Sequence, residues 1–150
     1  MSKKQYYLKK LREKIEECGQ VLIEIDFQQQ CCLEEFEYYL NHLKEDDFAV
    51  DESVSCAEII SELAILRKIL IQRKEIYYLQ MISLLSGIDS QIGNKLSQLE
   101  NDIIAYGQEL RQCKCILEEK FSIFLDIDQN IKEIMTLQEI YNGEEDFDEK

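Results

Sequence analysis

Apolar side chains recur every three and four residues through the first third of the chain. Leu8, Ile15, Leu22, Gln29, Phe36 and Leu43 fall seven apart, and so do Leu11, Cys18, Ile25, Cys32 and Tyr39. Interleaved, the two series make a narrow stripe, the seam of a coiled coil or bundle helix. The pattern predicts one helix over about 3–44, roughly 63 Å long at 1.5 Å per residue. Gln29 is the one polar member of the stripe. It either fixes register or turns its amide to solvent at the seam edge.

The periodicity stops at EDDFAVDESVS, residues 45–55, which holds five carboxylates and no base. This stretch reads as an acidic loop, with Ser55 and Glu58 spaced as a capping box for a second helix over about 56–86. Ile59, Ile60, Leu63, Ile65, Leu66, Ile69, Leu70 and Ile71 leave that helix little polar circumference. A helix apolar nearly all round is packed from several sides, so it is expected at the centre of the fold. Gly87 suits the position just past a helix end, and Asp89 or Ser90 suits the cap of a third helix. The alternative is a stutter inside one continuous coiled coil, since Leu85, Ile88, Ile92, Leu96 and Leu99 step by three and four. From Leu96 the stripe returns through Leu99, Ile103, Tyr106, Leu110 and Cys113 to Leu117, Phe121 and Phe124, predicting a helix over about 90–142. The remainder, GEEDFDEK over 143–150, reads as a disordered acidic tail.

Composition reinforces the helical reading. The 150 residues include no proline, where about seven are usual. Proline supplies much of ordinary turn chemistry, so its absence favours long unbroken helices. The formal charge is −14, and most of it is local. Residues 45–55 have five acids and no base, and 143–150 five acids against one lysine, so −9 of the −14 lies there. Such a charge disfavours nucleic acid and anionic membrane as main partners. No 18-residue apolar run exists, because Glu62, Arg67, Lys68, Arg73, Lys74 and Glu75 interrupt the richest stretch. Residues 1–14, MSKKQYYLKKLREK, lack the apolar core of a secretory signal. With six cysteines read as reduced thiols, the expected location is the cytoplasm or the nucleus.

Candidate chemistry is sparse. Cys31-Cys32 and Cys113-x-Cys115 lack the spacing of zinc knuckles, and Cys18, Cys32 and Cys113 occupy seam positions where cysteine packs as a small hydrophobe. Asp126, Asp128 and Asn130 match the start of a calcium loop, but Ile131 and Leu137 stand where Gly and Glu are needed. A di-iron bundle needs two Glu-x-x-His pairs, and the only histidine is His42, placed to pair with Glu45 or Asp46. No nucleophile has a histidine partner nearby, and no Gly-rich phosphate loop or nucleophile elbow occurs. We therefore expect no enzyme activity, no catalytic residue, no cofactor and no metal. Lys3, Lys4, Lys9, Lys10, Arg12 and Lys14, with Tyr6 and Tyr7, make a basic helix start that could meet an acidic protein, a nucleic-acid backbone or a lipid surface, a solvated start or an acidic protein being favoured over nucleic acid. In the pairs Tyr38-Tyr39 and Tyr77-Tyr78, one ring of each is available as an interface anchor if exposed.

The expected fold is all-α: a long antiparallel hairpin or three-helix coiled-coil bundle in a single domain over 1–142, self-associating or bound to another subunit. Helices of unequal length would leave apolar seam projecting past the bundle for another chain to cover. The expected function is a non-enzymatic scaffold or adaptor in a cytosolic, cytoskeletal or kinetochore-type assembly. Its interaction residues would be the seam positions Leu8, Leu11, Ile15, Leu22, Ile25, Gln29, Phe36, Tyr39, Leu99, Ile103, Tyr106, Leu110, Leu117, Phe121 and Phe124. Two other classes fit the sequence: a small acidic helical chaperone of the secretion or flagellar type, holding a partner's amphipathic helix beside helix two, and an acidic mimic of nucleic acid.

Overall fold

The computed structural model describes residues 2–87 and 90–113 and is all-α over them. Helix α1 spans Lys3–Asn41, α2 spans Ala49–Ser86 and α3 spans Ser90–Arg111. The chain turns back twice, and α1 and α3 each pack along α2. Cross-helix pairs give the register. Arg67 meets Asp26 at 3.0 Å, and Cys56 donates to Glu35 at 3.9 Å. On the other side Lys95 meets Glu75 at 2.9 Å, and Lys68 lies 5.6 Å from the Tyr106 ring centre. In each case residue numbers rise on one helix as they fall on the other, so both pairings are antiparallel.

The α1 seam is closed inside the chain. Leu11, Cys18 and Ile25 are fully buried, while Leu8, Ile15, Leu22 and Cys32 pack against the same core from its edge. Opposite them α2 buries Ala49, Cys56, Leu63, Leu70, Tyr77 and Leu84, again every seventh residue. From α3 come Leu96, Leu99, Ile103 and Leu110. Helix α2 is the central element and buries residues on two sides, as its apolar circumference requires.

The first turn differs from expectation. The acidic loop predicted over 45–55 is the shorter 42–48, and α2 begins at Ala49 rather than near 56. Asp46 sets this start: its Oδ1 accepts the Phe48 N–H at 2.9 Å and its carbonyl accepts the Ala49 N–H at 3.1 Å. Asp51 and Glu52 then lie in the first turn of α2, where the helix dipole favours carboxylates. Buried Ser53 hides its hydroxyl by donating to the Ala49 carbonyl at 2.7 Å. Ser55 and Glu58 sit inside α2, so the capping box assigned to them does not form. A capping box forms instead at the start of α1, where Ser2 and Gln5 exchange two hydrogen bonds of 3.0 and 3.1 Å.

At 39 and 38 residues, α1 and α2 match in length, so no seam projects from mismatch between them. The second reversal is a true turn, not a stutter. Gly87 has φ 94°, a left-handed backbone that favours glycine, and its N–H donates to the Ser83 carbonyl at 2.9 Å. The predicted extension of helix three to 142, the seam residues Leu117, Phe121 and Phe124, the failed calcium-loop segment and the acidic tail lie outside the described residues. No described helix is long and apolar enough to cross a membrane.

Candidate protein-interaction surface

Most of the seam residues named from sequence are used within the chain. Leu11, Ile25, Leu99, Ile103 and Leu110 are buried, and Leu8, Ile15, Leu22 and Tyr106 pack against them from the edge. Gln29, Phe36 and Tyr39 are half-buried along the second half of α1. The described seams therefore hold α1 and α3 to α2 and present no continuous apolar stripe to another molecule.

A different stripe is open. On α2 the residues at positions 50, 57, 64, 71, 78 and 85 are Val, Ala, Ala, Ile, Tyr and Leu, apolar at every seventh position. Seven residues are nearly two turns, so these side chains share one face. Two pairs of contacts show where that face points. Arg67 and Lys74 lie on the α1 edge, bound to Asp26 and placed 3.9 Å from the Cβ position of Gly19. Lys68 and Glu75 lie on the α3 edge, against Tyr106 and Lys95. The column runs between these edges, turned away from the core. Ile71 is 40% exposed, Tyr78 48% and Leu85 65%, and Ile82 beside them is 46% exposed. Val50 and Val54 continue the exposed face toward the first turn.

Helix α1 widens this face. On its edge nearest the column lie Gly19, Leu33 and Leu40, with Ile23 next to them, and the three large residues are exposed. A Cβ at Gly19 would meet only the Lys74 ammonium, at 3.9 Å. Sequence reasoning missed the column because it took α2 to begin near 56 and to be packed from several sides, which does not say which stripe is left bare. The signal was present as unbroken apolar identity at seven-residue spacing.

The buried polar groups lie elsewhere. Glu62, Arg73, Gln80 and Ser83 are buried on α2 among Leu66, Ile69 and Ile76. Burial pushes the Cys18 thiol up, partly opposed by the nearby Arg73 guanidinium. Burial also raises the Cys32 and Cys56 thiols, with Glu35 adding to both. A raised thiol is a poor nucleophile, so these positions suit packing better than covalent chemistry. Among the described residues, no three His, Cys, Asp or Glu side chains are grouped to hold a metal. His42 ends α1: its Nδ1 stands 2.7 Å from the Tyr38 carbonyl, its ring stacks on Tyr38, and its Nε2 is 3.9 Å from Glu45.

Charge is distributed lengthwise. Residues 3–14 hold six bases and one acid, while 34–52 hold eight acids and one lysine. The hairpin thus has a basic end and an acidic end, separated by most of the length of α1. Compared with known proteins, the chain matches no family model, no curated protein and no solved structure.

Proposed function

We propose that this chain is a non-enzymatic helical scaffold or adaptor subunit, working in the cytoplasm by docking partner helices on its apolar heptad faces. The observation that supports this reading is the column Ile71, Tyr78 and Leu85 with Ile82, which neither α1 nor α3 covers. Contiguous apolar surface of this kind marks protein contact sites, and a seven-residue repeat is the spacing at which another helix interdigitates. Tyr78 is its natural anchor, a large ring with a polar tip at the middle of the exposed half. The direct test places a photo-crosslinking amino acid at position 78 or 85 in cells of the source. Adducts to a protein other than a second copy of this chain from these positions, and none from exposed Glu13 on α1, are the expected result. No such adduct from the column, or equal adducts from Glu13, overturns the reading.

A further inference from the structure

We propose that the outward column of α2 is the interface of a two-fold antiparallel dimer of this chain. Three observations point to a second copy as the occupant. The first is size. The column is small in its first half, Val50, Ala57 and Ala64, and large in its second, Ile71, Tyr78 and Leu85. Reversed on itself about a point between Arg67 and Lys68, it sets Leu85 opposite Val50, Tyr78 opposite Ala57 and Ile71 opposite Ala64. Every large side chain faces a small one, at both symmetric positions, as an isologous interface requires. On the flanks the same register places Ile82 near Val54 and Met81 near Ser53.

The second observation is charge. With α1 and α2 in the register fixed by Arg67–Asp26 and by Lys74 beside Gly19, this alignment brings residues 3–14 of one copy alongside 37–48 of the other. The basic end of each hairpin then meets the acidic end of its mate, twice. A parallel pair would instead superimpose like ends. Arg67 and Lys68 meet their own counterparts at the two-fold, but Arg67 is bound to Asp26 and Lys68 is drawn toward Tyr106. The third is extent. A face about 53 Å long and about 15 Å wide, with the α1 edge included, offers on the order of 800 Å² per copy, the size of a stable interface.

This inference rests on reading the column as a docking face, and its test separates the two. Sedimentation equilibrium of the purified full chain, under reducing conditions, should show a dimer in reversible exchange with monomer. Ala57→Tyr opposes two large rings, and Tyr78→Ala leaves two holes, so each should weaken dimerisation by roughly tenfold or more. The double variant A57Y/Y78A exchanges the small and large partners and should return within about threefold of the parent. Far-UV circular dichroism checks that helicity is unchanged in all three. A chain that stays monomeric overturns the proposal, as does a dimer indifferent to both single changes or one the double change fails to restore. If the purified chain is monomeric while position 78 crosslinks another polypeptide, the dimer falls and the scaffold reading stands. A dimer obeying the size exchange, with no adduct to another protein, does the reverse.

Discussion

A methyl group added at Gly19 would meet only the Lys74 ammonium, 3.9 Å away, and otherwise open space. Glycine inside a helix costs about 1 kcal/mol relative to alanine, so Gly19→Ala should stabilise the chain by about that amount in thermal or urea denaturation. No stabilisation would mean that the added methyl displaces the Lys74 ammonium or meets a second copy of the chain. Glu100 carries the opposite kind of cost. Burial raises its carboxyl above the ordinary carboxylate value, and its Oε1 is buried without a hydrogen-bond partner. The folded state therefore holds a proton that the unfolded state releases, and stability falls as pH rises from the ordinary carboxylate value to the raised one. Glu100→Gln removes this dependence. Urea midpoints should favour the variant at pH 7 and converge with the parent below pH 4, and a parent equally favoured at both values would contradict the assignment.

At the scale of elements, the start of α2 depends on Asp46 and not on Ser55. Asp46→Ala should cost about 1 kcal/mol by removing the acceptor for the Phe48 N–H, whereas Ser55→Ala, inside the helix, should cost nothing. Equilibrium denaturation of the two variants separates these outcomes. The same boundary shows what the sequence could convey. The α1 stripe was legible because Leu8, Leu11, Ile15, Leu22 and Ile25 are large and keep three- and four-residue spacing, even where Val21 and Ile23 flank Leu22. The first turn of α2 was not, because its inward positions are Ala49, Ser53 and Cys56, and small residues carry little periodic signal. Acids that favour a helix N-terminus then resembled a loop. Gly87 was legible only as one of two readings, since spacing alone does not distinguish a reversal from a stutter. The interaction face was hidden for a related reason: on a helix apolar nearly all round, periodicity does not say which stripe is left bare.

Across the whole molecule, burial orders the reactivity of the thiols. Cys18 lies between α1 and α2, fully buried, and its thiol is raised, so modification requires the hairpin to open. Cys31 is half-exposed on the side of α1 away from that seam. Mass-resolved alkylation under native conditions should label Cys31 at least roughly tenfold faster than Cys18, and denaturant should equalise the two. Equal native rates would refute the α1–α2 seam as described.

The antiparallel hairpin also has a mechanical consequence. Ser2 and Gly87, the outer ends of α1 and α2, lie at the same end of the rod, and the turn at 42–48 lies at the other. Tension applied between those two ends loads one layer of the Leu11–Cys18–Ile25 seam at a time, so the helices peel apart progressively at low force. Tension applied between the turn and the opposite end of the rod runs along the axis of a single helix, leaves the seam closed and meets far greater resistance. The same helices are therefore compliant or stiff according to where a load is attached.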